Sequence, residues 1–401
     1  MTGSTVPARS QERTNRRQQV QNAAAALFAR RGFDGISMAE IAAEVGISAP
    51  ALYRHFPSKE SIIVAITLNE IDHLHDIVCR PRTENASLRG RLRQLVSEVL
   101  DHPDEFRVYL RERHRLPDGA SKTVLDRERA VQRVLTSLIA DCRADLEAHD
   151  IERRLIAMSG VLKAFSERRP SLARPSAESF VAGALDCMLL SEPITSSTPP
   201  PRPSGHWSPR TSQFERVLRA ALALFRERGF DGVGFGEIGE AAGIGSANVA
   251  RYFENRGQIL VDLYDRVGSR VEVGVDDAMS AAKDASDALG RLIDSYCAIA
   301  FEAVDLVVVV SNSRGAIPPD ERPRLRRRDR RIMSIWRAVV SEVRADLRPV
   351  EVRTLCIGIM PLVNMFPQQM HGRLPHPSTV ASLVRAYLLG APSPLGTPPH
   401  L

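Results

Sequence analysis

The sequence predicts an all-α protein built from two copies of one helical unit, and three observations predict it. Apolar residues recur at spacings of three and four along most of the 401 residues, as they do on the buried face of a helix. Alternating apolar and polar runs closed by turn dipeptides, the pattern of strands, are missing. Sliding the chain by 197 residues lays positions 20–64 on 217–261, and 19 of those 45 pairs are identical. A repeat of that length sets the whole architecture.

The elements follow in order. Residues 1–13 form a basic arm, with Arg9 and Arg13 followed by Arg16 and Arg17 against a single Glu12. Within residues 14–66, Val20, Ala23, Ala24, Leu27 and Phe28 mark a helix that Gly32 stops. Ser37 is placed to cap a short helix over 38–45, with Glu40 three residues on, as in a capping box. Gly46 ends that helix, and Ser48 caps a second one over 49–55 after a tight turn, which is helix-turn-helix spacing. Phe56 belongs to the core of the unit, and Ser58 caps a long following helix that carries Lys59 in its first turn. Helical period continues through a domain over 67–190, with clear segments at 88–100 and 124–146.

Residues 191–210 hold six prolines and five serines with no helical period, the composition of an exposed linker. The second copy places a helix-turn-helix unit over 211–263 and a helical domain over 264–392, before a tail at 393–401. Val217, Ala220, Ala221, Leu224 and Phe225 repeat the first helix and Gly229 stops it. Farther on the register becomes 201, pairing Leu116-Pro117 with Ile317-Pro318 and RADL at 143–146 with RADL at 344–347. The four added residues are expected in a loop or at a helix end.

The run from Phe33 to Ile62, FDGISMAEIAAEVGISAPALYRHFPSKESI, resembles the signature of the tetracycline-repressor (TetR) family, in its glycines, its apolar positions and its LYRHF and SKE elements. The resemblance implies a ligand-responsive, DNA-binding transcriptional regulator, most simply a repressor, with double-stranded operator DNA as partner. It implies that the helix over 49–55 enters the major groove, and that Tyr53, His55 and Lys59 approach phosphates. Hydroxyls, cations and helix amino ends suit phosphate oxygens, while small residues let a helix sit deep. The expected contact set is Ser37, Ser48, Ala49, Pro50, Ala51, Tyr53, Arg54, His55 and Lys59. The arm resembles the minor-groove arms of other helix-turn-helix proteins, although a solvated tail fits its first dozen residues equally.

The second copy departs from this pattern. Gly234, Gly239, Gly245 and Ala250 stand where Ser37, Ala42, Ser48 and Tyr53 do, which weakens caps and removes a hydroxyl. Ser246, Asn248, Arg251, Tyr252 and Arg256 remain as candidate contacts. Charge agrees, with eight positive and four negative residues over 9–59 against seven and six over 210–256. Weaker or different DNA contact is expected there.

The family dimerises through its last two helices, so the fusion implies an intramolecular pseudo-dimer packed through roughly 177–190 and 378–389, with further self-association left open. Residues 100–135 and 301–336 resemble regulatory domains that sense fatty-acyl or steroid coenzyme A thioesters. A pocket lined by Phe301, Val307, Met333, Trp336, Met360 and Phe366, with Arg324 and Arg327 at its mouth, would suit a small apolar ligand with a phosphorylated head. The same residues read equally well as plain core and a solvated helix face.

Other classes find little in the sequence. Five cysteines lack CxxC spacing, which suits a reducing cytoplasm and no structural zinc. The His73-Leu74-His75 pair turns its rings about 200° apart on a helix, too far for one metal; no metal or cofactor is expected. No nucleophile elbow or phosphate loop is present, so no enzyme is expected. The longest aliphatic run, 306–310, cannot span a bilayer. The alternative is a protein-interaction or lipid-binding helical module whose second helix-turn-helix is degenerate. A net charge of +6 favours a polyanionic partner without deciding between them.

Overall fold

The computed structural model describes residues 8–33, 35–81, 86–192, 212–370 and 373–391. The expected tail, nearly all of the linker and the first seven residues of the arm lie outside them; residues 8–13 already belong to a helix. The first repeat comprises α1 (Ala8–Arg31), α2 (Met38–Val45), α3 (Ala49–Tyr53), α4 (Lys59–Cys79), α5 (Leu88–Asp101), α6 (Pro103–Glu112), α7 (Asp118–Cys142), α8 (Ala148–Glu167) and α9 (Arg174–Leu189). The second comprises α10 (Gln213–Arg228), α11 (Phe235–Ala241), α12 (Ser246–Ala250), α13 (Arg256–Ala281), α14 (Ala285–Glu302), α15 (Val304–Asn312), α16 (Arg322–Val343), α17 (Pro349–Gln369) and α18 (Pro377–Leu389). Each helix of the first copy thus has its counterpart nine places on, and no strand occurs among the described residues. The four extra residues sit in neither a loop nor a frayed end: α5 has 14 residues and α14 has 18, so one additional turn has been built into the helix.

The chain forms two compact units, residues 1–137 and 138–401, and the division falls inside α7 rather than at the linker. Packing explains this. In the second unit α8 packs against α17 and α9 against α18, so the last two helices of the first repeat are built into a core shared with the second. Gly160 on α8 lies against the α17 backbone, where an added Cβ would stand 2.5 Å from the Pro361 carbonyl oxygen and 2.7 Å from Leu362 Cα. Position 361 is 160 plus 201, so equivalent points of the two copies meet, as they do about a two-fold axis. Composition alone would let α17 cross a membrane, yet 61% of its apolar window is buried in this bundle.

The duplicated RADL motif has a shared task. Arg344 is 3% exposed and donates to the carbonyls of Leu388, Leu389 and Ala391 at the end of α18, while Asp346 holds its other edge. Arg143 caps the end of α9 likewise through Leu190 and Ser191, with Asp145 as its partner. The guanidinium fork satisfies carbonyls that a helix end leaves without donors. Arg344→Ala should therefore cost about 3 kcal/mol, the scale for stripping donors from buried acceptors. A thermal melt checks this, with the more exposed Arg143→Ala as the milder comparison.

Candidate nucleic-acid interface

The site begins with a small core in the first unit. Phe28, Leu52 and Phe56 are fully buried and fix α1, α3 and the start of α4 against one another. Ser37 has extended backbone, and its hydroxyl accepts from the Glu40 amide at 3.2 Å while the Glu40 carboxylate accepts from the Ser37 amide at 2.8 Å. Gly46 then takes the left-handed conformation (φ 71°) that closes α2 and aims the chain into α3. Ser48 caps α3 through the Ala51 amide. The recognition helix is shorter than expected, ending at Tyr53 because Arg54 and His55 already turn toward Phe56. Leu52 points inward, whereas Pro50, Tyr53 and Arg54 are exposed, Ala49, Ala51 and His55 half-buried, and Ser48 exposed.

Ser37, Tyr53 and Lys59 meet in one open cleft with Gly35, Met38, Ala39 and the Glu40 carboxylate, beside the amino end of α2. A helix amino end and an ammonium group in one concavity suit a phosphate, set against the Glu40 carboxylate, which already accepts from the Ser37 amide and hydroxyl. Lys59 is not free, however. Its Nζ donates to the carbonyls of Phe33 and Ile36, both at 2.8 Å, and lies over the Phe33 ring. It fastens the loop after α1 to α4, and one of its three N–H groups is left for a ligand. Arg17 has an analogous role that the sequence did not signal, donating to the His55 carbonyl at 2.8 Å with its guanidinium 4.2 Å from the centre of the Phe56 ring.

The capping box also sets an acid limit. The Ser37 amide, then its hydroxyl and Arg31, hold the Glu40 carboxyl down to about 2 from 4.5. A depressed carboxylate contributes stability that is complete above its unfolded value and lost as pH falls through the folded one. The contribution is thus present above pH 4.5 and lost on the way down to pH 2. Glu40→Gln should flatten that part of the acid-unfolding curve, which circular dichroism against pH can follow.

The second helix-turn-helix unit, α10 to α12, has the same plan with fewer groups. Gly234 receives only the backbone half of the cap, its amide donating to Glu237 at 2.8 Å. Gly239 is required here, because an added Cβ would stand 2.9 Å from the Ile244 carbonyl; Ala42 fills the same place in the first copy, so the second turn is tighter. Arg256 repeats the Lys59 fastening, donating to the carbonyls of Phe230, Asp231 and Val233. Tyr252 is exposed, with its hydroxyl on Gln213 at 3.2 Å and its ring edge-on to Phe214. Ser246 and Arg251 are exposed, Asn248 is half-buried, and Ala250 leaves bare the place of Tyr53.

A family model described as bacterial regulatory proteins, tetR family, matches residues 21–66 and again 217–263, and a tetracyclin repressor-like C-terminal domain matches 82–164. Nucleoid occlusion factor SlmA of Colwellia psychrerythraea is 33% identical over 147 residues, which cover 27% of this chain and 72% of that protein. The chain belongs to the TetR family. The HTH-type transcriptional activator FasR of Mycolicibacterium smegmatis is 36% identical over 89 residues, 22% of this chain and 41% of its own length. The chain spans about two fifths or less of that protein and of two other curated relatives that it matches. A TetR-family regulatory protein from Rhodococcus aligns over 44% of this chain and 95% of its own, at 24% identity and a TM-score of 0.38.

In this TetR-family chain the second unit also holds a cavity of about 140 Å³ in the second repeat, and the end of α8 in the first repeat contributes Lys163, Glu167 and the following Arg168 to its wall. Of the residues expected to line a pocket, Val307, Met333 and Met360 do. Trp336 and Phe366 are buried elsewhere in the core, and Phe301 packs against Phe366. Arg324 and Arg327 are not on the wall: Arg324 is bound to both oxygens of Asp265 and to Glu321, and Arg327 is exposed on α16. The cations on its wall are Arg314, Lys163 and Arg168; Arg314 is paired with Asp329 at 2.9 Å, and the Tyr264 hydroxyl donates to the same carboxylate at 2.6 Å. Periodicity had marked α16 as basic, but nothing local shows that Asp265 on α13 neutralises its amino-terminal arginines.

Proposed function

We propose that the chain is a transcriptional regulator that grips operator DNA chiefly through its first helix-turn-helix unit, as an intramolecular pseudo-dimer. The observation that carries this is the cleft joining Ser37, Tyr53 and Lys59 beside an exposed recognition helix, set against its depleted counterpart. The contact of Gly160 with the equivalent stretch of α17 supports the two-fold arrangement.

The finer reading is a repressor released by a small apolar ligand in the second repeat. The cavity has about the volume of five waters, room for a short acyl group or one ring but not for coenzyme A itself. A short-chain acyl thioester would place only its acyl part there, with Arg314, Lys163 and Arg168 on the polar side, whereas the fused rings of a steroid thioester exceed that volume. Release follows only if the ligand prefers the conformation whose recognition helices are wrongly spaced.

Fluorescence anisotropy with the chain's own upstream DNA tests the reading. Tyr53→Ala should weaken binding roughly tenfold, the scale of one or two charge-assisted contacts, and Tyr252→Ala far less. Binding should fall steeply with salt. Salt-independent binding or equal losses would contradict the assignment, and failure of every short acyl thioester to release DNA would remove the ligand reading alone.

A further inference from the structure

We propose, resting on the reading of the cavity as a ligand site, that the two copies have divided their tasks. The chain takes up one ligand, not two, in the second repeat, and that ligand is a short acyl chain with an anionic head, held by residues of both copies.

A tyrosine has changed its place between the copies. Arg113 donates to Glu128 at 2.9 Å in the first, as the equivalent Arg314 does to Asp329 in the second. A tyrosine hydroxyl donates to each carboxylate, at 2.5 Å from Tyr109 and at 2.6 Å from Tyr264. Tyr109 lies on α6, where its counterpart on α15 is Val310; Tyr264 lies on α13, where its counterpart on α4 is Thr67. The carboxylate therefore keeps its donor in both copies, while a ring is withdrawn from α15, and Val310 lines the cavity there.

Neighbouring positions shrink with it. Val271, Val307 and Ser311 on the wall stand where the first copy has Leu74, Phe106 and Leu110. Leu74, Phe106 and Tyr109 are buried, so the first copy holds side-chain volume where the second holds space. Protein interiors keep few voids larger than a water molecule, and reductions that converge on one wall mark a site rather than loose packing.

The wall also states the chemistry. Buried Val307 and Cys356 line the cavity together with exposed Glu167, Arg168 and Arg314, so an apolar interior opens at a charged edge. Lys163, Arg168 and Arg314 face Glu167 and Asp329, which leaves one positive charge over. That excess suits a carboxylate, or the phosphorylated head of a thioester, beyond an acyl chain. Lys163 Nζ on α8 donates to Gln368 Oε1 on α17 at 3.0 Å, across the two copies. A ligand on this wall thus touches the first repeat as well as the second.

Calorimetry on the full chain with butanoate and with butanoyl-coenzyme A separates the two sources of that chemistry, and whichever binds should do so at one equivalent per chain. Val310→Tyr and, separately, Ser311→Leu give the second copy the side chains of the first. Each should weaken binding roughly 30-fold, the scale of forcing atoms into filled space, while helical circular dichroism and binding to the chain's own upstream DNA stay unchanged. Lys163→Ala should weaken it roughly tenfold, and Leu110→Ala in the first copy should leave it unchanged. Two equivalents per chain, wild-type affinity in both filled variants, or wild-type affinity in Lys163→Ala overturns the shared single site and leaves the ligand reading standing. Binding of neither compound overturns the ligand reading and the single site with it.

Discussion

Gly160→Leu is expected to lower the melting temperature by roughly 6–12 °C. An added Cβ at this position meets backbone, the Pro361 carbonyl oxygen and Leu362 Cα, and neither can swing aside as a side chain could. The helices must separate, and overpacking of this kind costs about 3 kcal/mol or more, which at 2–4 °C per kcal/mol for a chain of this size gives the stated range. Gly160→Ala should show a smaller part of the loss. The same variant tests the pseudo-dimer. A protease site placed within residues 193–211 should, when cut, leave the wild-type halves together on gel filtration because α8 and α9 stay buried against α17 and α18. The cut Gly160→Leu protein should separate into halves. Wild-type melting in the variant, or separation of the cut wild type, would contradict the arrangement.

That contact was only half legible in the sequence, and the reason is physical. The last helices of each copy read as apolar, and the resemblance supplied their pairing. Which residue lets two backbones approach is a property of both chains at once, and a glycine in a helical run gives no sign of it. Local features were plain. Ser37 with Glu40, Ser48 and Gly46 act within four residues of themselves, so their caps and turn could be assigned without tertiary knowledge. Lys59 and Arg17 act across the fold, on carbonyls 23 to 38 positions away, whereas the resemblance suggested DNA for the first and charge only a basic arm for the second. Periodicity likewise marks Val307, Met333, Met360, Trp336 and Phe366 as buried without separating the three that face a void from the two that face neighbouring side chains. The compact boundary inside α7 follows from the same limitation, since the proline-rich segment marks where the chain is exposed and not which helices share a core.

Pro50→Glu should reduce operator affinity by about 100-fold, while Ala247→Glu, at the equivalent place in the second copy, should reduce it less than tenfold. Both positions are exposed in the first turn of a recognition helix, Pro50 on α3 and Ala247 on α12. A carboxylate at a helix amino end is favoured by the unpaired amides and the helix dipole, so neither substitution should unfold its unit, and unchanged melting temperatures check that. What changes is the face presented to DNA. A fixed negative charge against a phosphate backbone costs several kcal/mol, and about 2.7 kcal/mol corresponds to the 100-fold loss. The penalty falls only where the helix is seated in the groove. In the first copy a full capping box and the Lys59 and Arg17 fastenings hold α3 in position, and Tyr53 stands exposed beside it. In the second, the cap has lost its hydroxyl, and Ala250 presents no phosphate-binding group. Equal losses from the two substitutions would mean that both recognition helices are seated alike. A loss confined to Ala247→Glu would reverse the assignment of the dominant unit.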